Sequence, residues 1–134
     1  MLPRVADNLV IVMPRGMSLS DWKRVGLLER EWRLYEQVGE AFGTVCVVLT
    51  GQPDAELEAA LVAAAGGRFR VCFVANTGRQ GLDEYAREIP ARVLAALGPA
   101  GVTVVKTEQL TAGPVAVEVR DGLRRGGHRA VLVT

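Results

Sequence analysis

The chain has 134 residues, a length that suits one domain with a substantial buried core. Hydrophobic residues make up 49% and charged residues 23%, as in ordinary globular proteins, and a net charge of +1 argues against nucleic acid or an anionic membrane surface as a partner. No apolar run approaches the ~20 residues that span a bilayer, and the first seven residues lack a signal-peptide core. We therefore expect a cytoplasmic protein without a transmembrane segment.

Strand and helix patterns alternate along the whole chain. In order they are a strand at residues 8–13, a helix at 20–42, a strand at 44–49, a helix from Asp54 to Gly66-Gly67, a strand at 69–75, a helix within 82–97, a strand at 102–106, a helix from Gly113-Pro114 to Gly126-Gly127, and a strand at 129–133. Alternation of this kind predicts parallel strands joined by right-handed helical crossovers.

The first helix is predicted as one long element. Apolar residues recur every three or four positions from Val25 to Phe42, which makes one stripe, and Gly43 is the expected end. Ser20 or Ser18 can cap its start, and Ser18 with Asp21 fits a capping box.

Residues 82–97 allow two interpretations. They could form one helix kinked at Pro90, or an irregular piece followed by a helix with Pro90 in its first turn. We favour the second interpretation slightly.

The predicted fold is a Rossmann-like three-layer α/β/α domain, a single domain over residues 1–134, with strand order 3-2-1-4-5. In such a sheet the winding reverses between strands one and four, and ligands bind beyond the carboxyl ends of the strands at that point. The loops at residues 14–18 and 107–111 should meet there. No helix follows the last strand, and a parallel sheet is normally covered on both faces, so we expect a second domain or a partner chain to pack on it.

Candidate binding residues lie in these two loops. Lys106, Thr107, Glu108 and Gln109 offer a cation, a hydroxyl, a carboxylate and an amide, which suit a polyhydroxylated or phosphorylated ligand. A solvated loop that caps the next helix is an equally good interpretation. Arg15 could bind phosphate or carboxylate, while Gly16 could simply supply an unusual φ angle.

Other polar residues favour structural roles. The only histidine, His128, falls at the amino side of the last strand, away from the expected site. Cys46 and Cys72 sit inside apolar strand patterns without metal-ligand spacing, so we interpret them as buried, reduced residues. The glycine fingerprints of dinucleotide and P-loop sites are absent, and we predict neither a cofactor nor a metal.

Two segments together resemble the N-terminal domain of bacterial and archaeal family 4 glycosyltransferases. The first reads MPRGMSLSDW at residues 13–22 and continues through Arg30-Glu31 and Leu34-Tyr35. The second reads VVKTEQ at residues 104–109, followed by Gly113 and Val117. Residues 52–99 match that family only in their rhythm of secondary structure. Glu108 stands where the family has Asn, and Pro114-Val115 where it has Ala-Trp.

The resemblance implies the GT-B architecture of two Rossmann-like domains. The N-terminal domain would bind a small-molecule or glycan acceptor, and a C-terminal domain would bind the nucleotide sugar. The residues implied on the cleft side are Arg15, Gly16, Met17, Lys106, Thr107 and Gln109. The isolated half would not transfer sugar by itself, and no catalytic residue is assigned. The alternative is a standalone Rossmann- or flavodoxin-like module that binds a ligand or a protein without catalysis.

Overall fold

The computed structural model describes residues 3–108 and 112–133. Strands and helices alternate in this part of the chain. They are β1 (Ala6–Val12), α1 (Leu19–Arg24), α2 (Leu28–Val38), a 3-10 turn (Gly39–Ala41), β2 (Phe42–Val48), α3 (Ala55–Ala65), β3 (Arg70–Val74), α4 (Leu82–Leu97), β4 (Gly101–Thr107), α5 (Gly113–Arg125) and β5 (His128–Val133).

The strands form one parallel sheet in the order β3-β2-β1-β4-β5, which confirms the predicted topology. Helices α1, α2 and α3 pack on one face, and α4 and α5 pack on the other. The architecture is therefore a Rossmann-like α/β fold, with its winding reversed between β1 and β4 as expected.

The central strand β1 is buried on both faces. Leu9, Ile11 and Met13 pack against α1–α3, while Val10 and Val12 pack against α4 and α5. This alternation of side chains explains the continuous apolar run in the sequence, because both faces of a central parallel strand are covered.

The prediction of one helix over residues 20–42 is wrong. Gly26 has φ of +81°, and α1 ends before it while α2 begins after it. The break leaves Val25 54% exposed, whereas Trp22 and Trp32 are both buried. Gly43 does not end a helix either, since it lies within β2 after the 3-10 turn.

The helix caps agree with the sequence patterns. The Asp21 N–H donates to Ser18 Oγ at 3.2 Å and the Ser18 N–H to Asp21 Oδ2 at 3.1 Å, the reciprocal bonds of a capping box at α1. Asp54 caps α3 by accepting from the Leu57 N–H at 3.0 Å, and Gly66 ends that helix in the left-handed region.

Helix α4 is continuous through Pro90, so the favoured interpretation of residues 82–97 is wrong. Tyr85, Ile89 and Val93 are fully buried at intervals of four residues, and they hold the helix on the sheet on both sides of the proline. The Pro90 ring lies against Gly122 of α5, where an added Cβ would come within 2.8 Å of Pro90 Cβ. Helix packing thus outweighs the local cost of the missing N–H.

The sheet face beside α2 is incompletely covered at β4 and β5. Val102, Val131 and Val133 are 41%, 53% and 47% exposed, although Ala130 in the same strand is buried against α5. Val131 lies opposite Val104 and Val133 opposite Lys106 in the parallel register. Val131 and Val133 therefore extend the sheet face from the carboxyl half of β4, while Val102 is exposed near its amino end.

Candidate functional site

The loop after β1 is fastened to the neighbouring loop after β2. Gly16 has φ of +80°, and its N–H donates to Thr50 Oγ1. The Gly51 N–H donates to the Met17 carbonyl at 3.1 Å. A positive φ is accessible to Gly16 at low cost. Its amide is thus used within the fold rather than presented to a ligand, while the Met17 side chain packs beside the core under α1–α3.

Arg15 points toward α4. Its Nη2 lies 2.7 Å from Asp83 Oδ1, and the hydrogen bond lowers the pKa of that carboxyl. The Arg15 side chain is half exposed. With Arg87 and Glu118 it lines an open groove of about 350 Å³ between α4 and α5. Arg15 therefore remains reachable by an anion, on the side of the sheet opposite α2.

Lys106 and Glu108 lie on the same face at the carboxyl end of β4, beneath α2. Lys106 Nζ donates to Glu108 Oε1 at 2.8 Å and to the Tyr35 hydroxyl oxygen at 3.1 Å. The Tyr35 hydroxyl in turn donates to Glu108 Oε1. Lys106 Nζ lies 5.6 Å from the centre of the Tyr35 ring, so the ammonium sits beyond the hydroxyl end of the ring and contacts the hydroxyl.

Glu31 completes this group, which we call the Glu31–Glu108 cluster and define as Glu31, Tyr35, Lys106 and Glu108. A hydrogen bond with Glu108, and secondly burial, raise the pKa of Glu31 from 4.5 to about 7. Burial works to raise the pKa of Glu108, but hydrogen bonds with Glu31, Lys106 and Tyr35 outweigh it and hold that pKa below its usual value. Two carboxyl groups that share a proton titrate as a pair.

Tyr35 is the fixed part of the cluster. The residue is 2% exposed and its ring meets that of Trp32 edge-on, with centroids 6.0 Å apart. Burial and the hydrogen bond with Glu108 raise the pKa of Tyr35 well above its ordinary value. Its hydroxyl therefore keeps its proton and donates it toward Glu108 at neutral pH.

The cluster keeps an accessible polar surface. The side chain of Lys106 is 35% exposed and that of Glu108 11% exposed. An ammonium next to a carboxyl pair offers both donors and acceptors, the combination that hydroxyl groups of a ligand require. The arrangement can hold and orient a neutral polyhydroxylated molecule at the carboxyl end of β4.

The structure separates the sequence candidates into groups. Lys106 and Glu108 contact each other, whereas Thr107 is buried and points to the opposite face of the sheet. Arg15 and Gly16 contact Asp83 and Thr50 instead of the cluster. Gln109 lies outside the described residues.

Glu31 and Tyr35 are members of the cluster that sequence reasoning did not place at the site. Their spacing of four residues puts both on one side of a helix. The apolar stripe suggested a core position for Tyr35, which is correct for its ring but misses the role of its hydroxyl.

His128 has a structural role, as the sequence suggests. It is buried, its Nε2 lies 2.6 Å from the Gly98 carbonyl oxygen, and its Nδ1 lies 3.0 Å from Thr103 Oγ1. The carbonyl can only accept, so Nε2 carries the proton and Nδ1 accepts from Thr103 when the ring is neutral. Asn8 Nδ2 donates to the same Thr103 oxygen at 3.1 Å.

Comparison with known proteins finds no family model, curated protein or solved structure that matches this chain. Within residues 3–108 and 112–133, none of the helices has the length and apolar character needed to cross a bilayer.

Proposed function

We propose that this chain is the acceptor-side domain of a GT-B glycosyltransferase, which transfers a sugar from a nucleotide sugar to an acceptor hydroxyl. One observation carries the proposal. Glu31 and Tyr35 come from the first segment of the family resemblance, Lys106 and Glu108 come from the second, and the fold joins them in one hydrogen-bonded cluster.

The position of the cluster fits an acceptor site. It lies at the carboxyl end of β4, and β4 borders the point where the winding of the sheet reverses. The partly exposed Lys106 ammonium and the Glu31–Glu108 pair would bind hydroxyl groups of the acceptor. The contribution of this domain to the rate would come from positioning the acceptor and from the fixed charges around it.

A donor-binding domain or a partner chain would supply the nucleotide sugar. The exposed Val133 lies opposite Lys106 of the cluster, Val131 lies two residues before it, and together they give such a partner an apolar surface to cover. Covering these side chains would also remove water from around Lys106, which strengthens its interactions with a bound acceptor.

The first test is an NMR titration of the 15N-labelled chain with a panel of simple glycosides and polyols, and separately with nucleotide sugars. We expect an acceptor from the first panel to shift the amide resonances of Lys106 and Glu108. Nucleotide sugars should leave those amides unchanged. Preferential binding of nucleotide sugars at the cluster would contradict the proposal, as would the absence of any response to the acceptor panel.

A second test uses the complete product of the gene that encodes this chain. Nucleotide-sugar transfer should fall at least about tenfold when Lys106→Ala removes the ammonium, and less when Arg15→Ala removes the groove cation. Arg24→Ala is the matched control, because Arg24 pairs with Asp21 on the exposed side of α1. Full activity of Lys106→Ala would exclude the cluster as the acceptor site.

The alternative is a ligand-binding module without catalysis, and a second groove favours it. This groove lies between α2 and α3 and has a volume of about 330 Å³, within the range of small-molecule sites. Its lining combines Leu28, Trp32, Leu57 and Leu61 with Lys23, Glu29, Arg33 and Glu36. Glycosides that shift α2–α3 amides and leave Lys106 unchanged would support this alternative.

A further inference from the structure

Cys46 and Cys72 are direct neighbours across two strands. Cys46 on β2 pairs with Cys72 on β3 in the parallel register, and both side chains belong to the core under α4. They therefore project from the same face of the sheet at the same level. The sequence patterns predict two buried, reduced cysteines and do not indicate this pairing.

The two thiols differ in accessibility. Cys46 is completely buried on the interior strand β2, whereas Cys72 is partly exposed on β3. Strand β3 is at one end of the sheet order, so it has a sheet neighbour on one side only. Of the two thiols, Cys72 is therefore the one nearer to solvent.

The surroundings make Cys72 the more acidic of the two thiols. The hydrogen bond between the two groups lowers the pKa of Cys72 and raises that of Cys46, and burial raises the latter further. Arg70 lies two residues before Cys72 on the same face of β3, and its positive charge also lowers the pKa of Cys72. The Arg70 side chain is fixed there by a hydrogen bond from Nη2 to the Ala96 carbonyl.

The backbone geometry permits a bond between the two sulfur atoms. Neighbouring strands of a sheet lie about 4.8 Å apart, and disulfides span Cα separations from about 4.4 to 6.8 Å. Residues in direct register fall within that range. Parallel side chains keep the two Cβ atoms about as far apart as the strands, slightly beyond the roughly 3.5–4.5 Å usual in disulfides, so a cystine here requires the two strands to draw together locally as well as rotation of the side chains.

We propose that Cys72 and Cys46 form a peroxide-sensitive modification site, in which Cys72 is the attacking residue and Cys46 the resolving residue. The site is independent of the proposed glycosyltransferase function. Its substrate is hydrogen peroxide, a small neutral oxidant that would approach Cys72 at the edge of the sheet beside β3.

The chemistry balances with peroxide as the only oxidant. The Cys72 thiolate attacks one peroxide oxygen, the O–O bond breaks, and Cys72 becomes a sulfenic acid while hydroxide leaves and takes up a proton to become water. Cys46 sulfur then attacks the Cys72 sulfur, the S–O bond breaks, and the thiol proton leaves with that oxygen as a second water. Two thiols are oxidised to one disulfide, and one peroxide is reduced to two waters.

The test is peroxide treatment of the folded 134-residue chain, followed by thiol counting and intact mass. We expect both thiols to disappear together, with a mass lower by two hydrogen atoms and no covalent dimer. Dithiothreitol should restore both thiols. Retention of both thiols would overturn the proposal, as would thiol loss only after unfolding in guanidinium or only as intermolecular dimers.

Variants separate the two roles. Cys72→Ser should slow the loss of the Cys46 thiol by at least about tenfold, since a buried thiol reacts slowly. Cys46→Ala should leave Cys72 reactive but stop at a sulfenic acid that dimedone traps. Equal rates for the wild type and Cys72→Ser would contradict the assignment. Circular dichroism before treatment shows whether each variant is folded. If a variant does not fold, peroxide treatment of the wild type alone still tests the proposal.

Discussion

Tyr35 and Lys106 are 71 residues apart in the sequence, yet Lys106 Nζ donates to the Tyr35 hydroxyl at 3.1 Å. The contact joins α2 to the carboxyl end of β4. It also places the Tyr35 hydroxyl where it can donate to Glu108. One buried aromatic residue thus orders the charged groups that we propose as the acceptor site.

The hydroxyl of Tyr35 should contribute measurably to stability. Tyr35→Phe removes the contacts with Glu108 and Lys106, and we expect the free energy of unfolding to fall by about 2 kcal/mol, as for hydrogen bonds to charged groups. Urea denaturation of both proteins measures the difference.

Tyr85→Phe is the matched control. Tyr85 is also buried, but its hydroxyl has no hydrogen-bond partner among the residues that the structure describes. Its removal should change stability by less than about 0.5 kcal/mol. Equal losses for the two variants would show that the cluster does not hold Tyr35.

The Glu31–Glu108 pair should make stability depend on pH. The pKa of Glu31 is raised from 4.5 to about 7 on folding, so the folded protein keeps a proton that the unfolded chain releases in this window. The free energy of unfolding should therefore fall as pH rises from 4.5 to about 7, and level off above. Glu108, whose pKa is lowered on folding, opposes this trend only near pH 4.5, where the unfolded chain still binds part of a proton at that residue, and it is ionised in both states at higher pH.

Glu31→Gln should flatten that slope, because the amide can still donate to Glu108 but does not titrate. Glu29→Gln, on the exposed side of the same helix, should leave the slope unchanged. Urea midpoints measured across the window distinguish the two variants. A slope that survives Glu31→Gln would mean that another group is responsible.

The loops after β1 and β2 lie so close together that there is no room for a side chain at Gly51. An added Cβ would lie 2.8 Å from the Ser18 backbone nitrogen and 2.9 Å from the Met17 carbonyl carbon. Gly51→Ala should destabilise the fold by about 1–3 kcal/mol, because backbone atoms rather than a flexible side-chain end must move.

Gly113→Ala is the control for that variant, since an added Cβ there meets no atom of the described residues within 4 Å. Thermal unfolding should show a change of less than about 0.5 kcal/mol for it. If Gly51→Ala is equally harmless, the two loops are not held as the structure places them.

The buried Thr103 hydroxyl should contribute strongly to stability, because it connects the amino ends of three strands. Thr103→Val keeps the shape but leaves Asn8 and His128 without their shared partner, and we expect a loss of about 2–3 kcal/mol. Thr103→Ser retains the hydroxyl and should lose less. Chemical denaturation compares the free energies of unfolding of the two variants. A Thr103→Val variant at least as stable as Thr103→Ser would show that the hydroxyl does not hold Asn8 and His128 as described.

The alternation of strands and helices could be predicted because apolar strand runs and the Ser18 and Asp54 caps are local in the sequence. The order 3-2-1-4-5 is one of a few common arrangements for such a chain, so it could be selected from a short list. The break at Gly26 was not predicted, because the apolar spacing continues across it and a single glycine within a helical pattern does not always end the helix. The continuity of α4 depends on the contact of Pro90 with Gly122, which is a tertiary fact.

The candidate site was accessible to prediction only in part. Lys106 and Glu108 could be selected because they follow a strand at the point of reversed winding, and their role in ligand binding stays a prediction. Their contact with Tyr35 depends on how α2 lies over the sheet, which the break at Gly26 helps to set. The ion pair of Arg15 with Asp83 could not be predicted either, because Asp83 lies on a helix whose start the sequence left uncertain.

The hydrogen-bonded chain of Asn8, Thr103 and His128 crosses three neighbouring strands, β1, β4 and β5. If β4 slipped by one residue, Thr103 would turn to the other face and leave both of its partners buried and unpaired. The network therefore fixes the register of these three strands at their amino ends. Lys106 belongs to the same strand and Glu108 follows it directly, so the position of both at the opposite edge depends on a buried contact at the other end of β4.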